Sequence, residues 1–201
     1  MTAPLILALD TAAAHCAVAV LSGATVLASA QEPMAKGQAE RLLALVEEML
    51  HDLGLRMEQL DAIGVGIGPG NFTGIRIAVS AARGLALALD IPAVGVNAFD
   101  ALRYGTNGPC LCTVDARREM VFVQGFSADA YDIPALVALA DLPAGVPRIG
   151  AFGAAPAAPV AEAIAHITAA RFATTTAPPA PLYLRAADAA PARDAPPQIV
   201  L

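Results

Sequence analysis

Cysteine is scarce in this chain: Cys16, Cys110 and Cys112 are the three among 201 residues. An odd, sparse set argues against a disulfide framework. Cys110 and Cys112 share one face of a strand, poor geometry for a tetrahedral metal site without other ligands, so buried thiols are the plain reading. Charge is scarce as well. Charged residues make up 15 %, and 12 Lys and Arg stand against 18 Asp and Glu, for a net charge of −6. A chain that grips phosphate backbones unaided normally shows a basic stripe. None is present here, so if nucleic acid is involved, another chain would supply most of the phosphate contacts. A basic leader is missing too, and Asp10 interrupts the apolar N-terminus. The longest apolar stretch, near Ile75–Leu89, contains Arg76 and Arg83. It is too short and too charged to span a membrane. The expectation is a cytoplasmic protein with no membrane partner.

Hydrophobic residues are plentiful at 57 %, which excludes a disordered chain. Much of that share is alanine, so a closely packed core of small side chains is expected. Leu5–Leu9, Cys16–Leu21 and Thr25–Ser29 read as an antiparallel meander of three strands. A helix follows over Gln38–Leu53, with Leu42, Leu45, Val46, Met49, Leu50 and Leu53 at helical spacing and Gly54 as its stop. Ile63–Ile67 is the next strand, a second helix runs to Leu89, Ala93–Val96 is a buried strand, and a short helix covers Ala98–Tyr104. The second half opens in the same way: Leu111–Asp115 and Met120–Phe126 form a hairpin, Arg148–Gly153 is a strand and Ala157–Ile167 a weak helix. A strand ending in aspartate thus occurs twice, at Asp10 and Asp115, as two related α/β halves around a cleft would produce. The division is 1–104 for an N-terminal half with partner-binding helices, 105–185 for a shortened C-terminal half, and 186–201 for a flexible tail.

The sharpest local feature is Gly68-Pro69-Gly70-Asn71-Phe72-Thr73-Gly74, between a strand and a helix. Glycines admit close backbone approach, and a helix N-terminus offers free N–H groups. The segment suits an anion, another chain's backbone, or a tight structural connection. It is not a Walker loop, because no Gly-Lys-Ser/Thr follows. Asp10-Thr11 lies at a strand end, where α/β folds place ligands. It reads either as a contact to a metal-bound or water-bound phosphate or as a turn former with a capping threonine. Asp10, Thr11, Gly68, Gly70, Thr73 and Gly74 are therefore the candidate nucleotide or interface loop. Asp115-Ala116-Arg117-Arg118-Glu119 is either a charged hairpin facing the cleft or a solvated turn. His15, His51 and His166 have no metal-binding spacing and read as lone surface or structural residues. No catalytic or metal-ligating residue is assigned. The apolar arc of the first helix covers roughly 160°, wider than the ~100° one core contact needs. Leu42, Leu45, Val46, Met49, Leu50, Ile75, Val79 and Ala82 on the two helices are accordingly candidate partner-interface residues. The alternative is that the chain's own second half buries them.

Ala8-Leu9-Asp10-Thr11, Gly68-Pro69-Gly70-Asn71-Phe72-Thr73-Gly74-Ile75-Arg76, Asp115-Ala116-Arg117 and Leu182-Tyr183-Leu184-Arg185, in that order, resemble the TsaB (YeaZ) family, most densely over residues 4–126. The resemblance implies a duplicated actin-like ATPase (sugar-kinase-like) fold. It also implies a non-catalytic role beside a TsaD-like catalytic subunit and a TsaE-like ATPase, which together install threonylcarbamoyl on the adenosine next to the tRNA anticodon. A homodimer is the implied alternative when the partner is absent. Such chains have also been labelled glycoprotease-like. TsaD-like chains carry a His-x-x-x-His pair where this sequence has Ala98 and Leu102, which cannot bind a metal. Ala12 replaces the glycine that nucleotide-binding relatives prefer, and Gly150-Ala151-Phe152-Gly153 resembles only a remnant of an adenosine loop. No tightly bound cofactor is expected, and a nucleotide at the subunit interface stays open. Competing readings are a small actin-like ATPase or kinase, needing Asp10 and the glycine loop to bind nucleotide alone, and a peptidase, needing a metal or nucleophile.

Overall fold

A computed structural model describes residues 3–185; the tail read at 186–201 lies outside them. Two mixed sheets organise the chain. The first holds β1 (Leu5–Asp10), β2 (His15–Ser22), β3 (Thr25–Pro33), β4 (Ala62–Gly66) and β5 (Ala93–Val96), in the order β3-β2-β1-β4-β5. β1, β2 and β3 pair antiparallel, and β4 runs parallel to both β1 and β5. The second sheet holds β6 (Cys110–Asp115), β7 (Met120–Phe126), β8 (Ala135–Ala138) and β9 (Arg148–Gly150), ordered β8-β7-β6-β9. Its hairpins are again antiparallel and its last strand parallel to its first. The second sheet thus repeats the first four positions of the first, and the fold is the duplicated, actin-like α/β arrangement. β8 is a strand that the sequence pattern did not separate from its loop, because all four of its residues are only half-buried and show no alternation.

The helices are α1 (Gln38–Asp52), α2 (Phe72–Leu89), α3 (Ala98–Arg103) and α4 (Val160–Arg171). Their ends follow local chemistry. Asn71 caps α2 by accepting from Gly74 N at 2.9 Å, and Asn97 caps α3 by accepting from Asp100 N at 2.8 Å. Past α1, Gly54 takes a φ of +65°, and Leu55 N reaches back to Leu50 O at 2.9 Å. That closes the last turn as a left-handed glycine stop.

β1 is buried along its whole length because it has a helical layer on each face. Leu5, Leu7 and Leu9 point into a core with Leu42, Val46, Leu50, Ile75 and Val79 from α1 and α2. Ile6 and Ala8 point the other way, into a second core with Ala17, Ala19, Ala161, Ile164 and Ala165. This second layer is built of alanine, so α4 lies close to the sheet. A Cβ on Gly64 would fall 2.2 Å from Thr168 Oγ1. The alanine-rich composition is therefore a close-packed helix-on-sheet contact. Although α4 follows the second sheet in the chain, it packs against the first. The cut at residue 104 follows the sheets and not the helices.

Because it begins at Phe72, α2 has 18 residues, more than the Ile75–Leu89 stretch read as too short and too charged, and by length and composition alone it is the one helix among the described residues that could cross a membrane. Its Ile75, Ala78, Val79, Ala82 and Ala86 are buried in the first core, while Arg76 and Arg83 are exposed.

Candidate functional site

The site is assembled from two turns at the carboxyl ends of β1 and β4. β1 ends in Asp10, whose carboxylate is 4 % exposed. Its Oδ1 accepts from Ala12 N at 3.0 Å and meets His15 Nε2 at 2.6 Å. It lies so close to β4 that a Cβ on Gly66 would overlap Oδ2. A buried carboxylate needs such partners, because ionised oxygens without them are costly to desolvate. His15, read from sequence as a lone histidine, is therefore a structural partner of Asp10. The signal available in the sequence was its place five residues on, across a tight β-turn. His15→Ala is expected to cost about 1–3 kcal/mol by leaving the carboxylate with one partner fewer. Thermal melting of that variant checks this; an unchanged midpoint would mean the pair contributes nothing.

The Gly68–Gly74 loop packs on this turn, backbone against backbone. Thr11 Oγ1 donates to Gly74 O at 2.6 Å, and Asn71 N donates to Ala12 O at 2.7 Å. A Cβ on Gly70 would sit 2.3 Å from Ala12 O, and one on Gly74 only 1.9 Å from Thr11 O. Neither glycine has a positive φ; Gly68 does, at +89°. Close approach, and not backbone handedness, is why Gly70 and Gly74 are glycines. The N–H groups of Asn71, Gly74 and Ile75 are already bonded to Ala12 O, Asn71 Oδ1 and Asn71 O. The loop is thus a clamp holding the first turn of α2 against the β1–β2 turn. Thr73 stands exposed beside it.

On the second sheet, the turn after Asp115 is exposed at Arg117, Arg118 and Glu119, all three with positive φ. Arg117 N donates to Asp115 Oδ1 at 2.8 Å. It has the form of a solvated, self-bonded turn. Gly150 faces Thr113 O, where a Cβ would sit 2.4 Å away. The three thiols are buried. Burial, with Glu32 nearby, pushes the Cys16 thiol up to about 11, and burial, with Cys110 beside it, pushes Cys112 up to about 12. Neither is a thiolate nucleophile at neutral pH. Among the described residues no three His, Cys, Asp or Glu side chains come together as a metal site.

The eight interface candidates need correction. Leu42, Leu45, Val46, Met49, Leu50, Ile75, Val79 and Ala82 are all buried inside this chain. The wide arc on α1 is covered by the chain's own first core, against β2 and α2, except at one edge, where Leu43 is 44 % exposed. The sequence could not separate the two cases, because an arc covered by its own chain and one covered by another look alike on a helical wheel. The uncharged residues that α1 and α2 leave outside include Leu43, at the edge of that arc, and Ser80, Gly84, Leu87 and Ala88 on α2. Leu87 is 85 % exposed.

A contact that the periodicity gave no hint of joins the far end of the chain to α2. Tyr183 packs on Phe72 with ring centroids 4.9 Å apart, and Arg76 Nε donates to the Tyr183 hydroxyl at 2.9 Å. The Arg76 guanidinium lies 3.8 Å from the Phe72 ring centre.

Comparison with known proteins agrees with this geometry. The family model for TsaD, tRNA N6-adenosine threonylcarbamoyltransferase, matches residues 27–134, more than half of the chain. An uncharacterised protein of Mycobacterium tuberculosis is 39 % identical over 167 residues, covering 78 % of this chain and 79 % of that one. The tRNA threonylcarbamoyladenosine biosynthesis protein TsaB of Escherichia coli is 35 % identical over 129 residues, 62 % of this chain and 55 % of the relative. The match thus spans about half the length of that TsaB. A crystal structure from Pseudomonas aeruginosa, described as similar to the peptidase YEAZ, superposes with a TM-score of 0.71 at 25 % identity, over 90 % of this chain and all of that one. By sequence and by fold together, the chain belongs to the TsaB (YeaZ) family, within the wider group that the TsaD model describes.

Proposed function

We propose that this chain serves the biosynthesis of threonylcarbamoyladenosine in tRNA, as a non-catalytic cytoplasmic subunit beside a TsaD-like catalytic subunit and a TsaE-like ATPase. The observation that carries the reading is what occupies the catalytic positions of TsaD-like chains. Ala98 opens α3 with no ligating atom. Leu102 turns its side chain into the core of the lobe built on the second sheet, where a Cβ on Gly150 would meet it at 2.9 Å. The strand-end aspartate supports the same reading, since its carboxylate is already engaged by His15 and Ala12 N. The charge balance of −6 supports tRNA being held by another subunit. The partner surface in this reading is the outward side of α1 and α2 around Leu43, Gly84 and Leu87.

The test is reconstitution. The purified chain, a TsaD-like subunit and a TsaE-like subunit are mixed in all combinations with tRNA, ATP and threonylcarbamoyl-adenylate. Modified nucleoside is then measured by mass spectrometry. This chain alone is expected to form none, and the full mixture to form product that falls to background when this chain is omitted. Product from the isolated chain would sink the proposal, as would a full rate without it.

A further inference from the structure

The polypeptide crosses between the two lobes twice by covalent connection, from β5 into α3 at 96–98 and from β9 into α4 at 151–160. Beside these crossings α3 packs on α4, through the stacked rings of Tyr104 and His166 and the Arg171–Asp100 ion pair, and hinge rotation pivots at such connections. A separate noncovalent link is made by the far end of the chain. After α4 the chain runs back along α2, where Leu182 N donates to Ile67 O at 2.8 Å. Tyr183 then seats on Phe72 and Arg76 of the first lobe. The next residue, Leu184, packs against the second lobe's core cluster, which includes Ala116 and Phe122. Adjacent side chains thus grip opposite lobes.

We infer that Leu182–Leu184 is a tie that helps fix the angle between the lobes. Three features make it more than a strand of tail lying on a surface. Each of its three residues has a specific partner. Tyr183 is 40 % exposed, so it adds little to either core and its place is explained by anchoring. Gly68, pressed between the Ile75 side chain and Leu182 O, links the tie to the glycine loop and through it to the first turn of α2. Opening of the lobes must therefore break the Tyr183 contact or pull Leu184 from its core. The inference concerns this chain by itself and does not depend on the partner reading.

The test is a distance measurement between lobes in the full chain. The native cysteines are buried, so nitroxide labels can be placed through Glu47→Cys on α1 and Ala144→Cys on the second lobe, both exposed sites. Pulsed dipolar spectroscopy on the parent is expected to give a single narrow distribution. Tyr183→Ala and Leu184→Ala should each broaden it roughly twofold as hinge rotation is released. The equivalence of the two is the signature, because one variant touches only the first lobe and the other only the second. An unchanged width in either folded variant overturns the tie. So does broadening by Leu184→Ala alone, which would be ordinary core loosening. Should Leu184→Ala fail to fold, Tyr183→Ala decides alone, since its ring is largely outside the cores.

Discussion

Gly74→Val is expected to lower the melting temperature by about 10 °C, and Gly70→Val by a similar amount, although neither glycine has an unusual φ. The cause is a backbone collision. A Cβ on residue 74 would stand 1.9 Å from Thr11 O, and one on residue 70 would stand 2.3 Å from Ala12 O. Carbonyl oxygens cannot rotate aside as side-chain ends can, so α2 or the β1–β2 turn must move as a body. Overpacking of this kind costs about 1–3 kcal/mol or more. The shift also strains the Thr11 Oγ1 to Gly74 O and Asn71 N to Ala12 O hydrogen bonds, each a further contribution of about 1 kcal/mol. In a chain of this length roughly 2–4 °C accompanies each kcal/mol. Gly84→Ala is the internal control. Residue 84 lies in the same helix with nothing within 4 Å of its Cβ position, so alanine there should stabilise by about 0.5–1 kcal/mol. Thermal melting of the three variants, with opposite signs expected within one helix, separates close approach from generic glycine effects. Unchanged melting at both 70 and 74 would reduce the loop to tolerant spacing.

Met49→Glu and Leu50→Glu are both expected to abolish cooperative folding, whereas Leu87→Glu should melt like the parent. Met49 and Leu50 are 7 % and 3 % exposed and face β1 and α2 in the first core, where nothing is placed to pair a carboxylate. An unpaired buried charge costs several kcal/mol, a large part of the roughly 5–15 kcal/mol that stabilises a domain. Leu87, at 85 % exposed, meets only water in the isolated chain. If the outward side of α1 and α2 is the partner surface, the same Leu87→Glu chain should fail to co-elute with a TsaD-like subunit in gel filtration. Normal folding of either core variant would refute the core assignment. Co-elution of Leu87→Glu at parental strength would refute only the surface, leaving the fold assignment untouched.

Much of the fold was legible because it rests on local chemistry. The meander of β1–β3 follows from short apolar runs separated by Ser22-Gly23. α1 follows from its periodic leucines, and its stop from Gly54. α2 was read from the end of the glycine loop to Leu89, and its cap, Asn71, came only from the structure. The repeat of strand and aspartate at Asp10 and Asp115 was readable as duplication, and the two sheets share a strand order accordingly. α4 was read weakly and started early, because its buried stripe is alanine and gives little hydrophobic contrast. β8 was missed for the related reason that its residues are half-buried on both faces.

In the site, the sequence by itself determined that the glycine loop joins a strand to a helix, that Asp10 ends a strand, and that Ala98 and Leu102 carry no metal-binding atoms. Those are properties of residue type and local spacing. The tertiary structure alone decided four further matters. It decided that Gly70 and Gly74 are required by the carbonyls of Thr11 and Ala12, some sixty residues away, and that His15 belongs to Asp10. It decided that the apolar arc of α1 is covered inside the chain except at Leu43, and that Leu87 stands on the outer side of α2. It also decided that α4 and Tyr183, late in the sequence, return to the first lobe. Each of these depends on which distant surfaces meet, and hydrophobic periodicity records how much surface must be covered without recording what covers it.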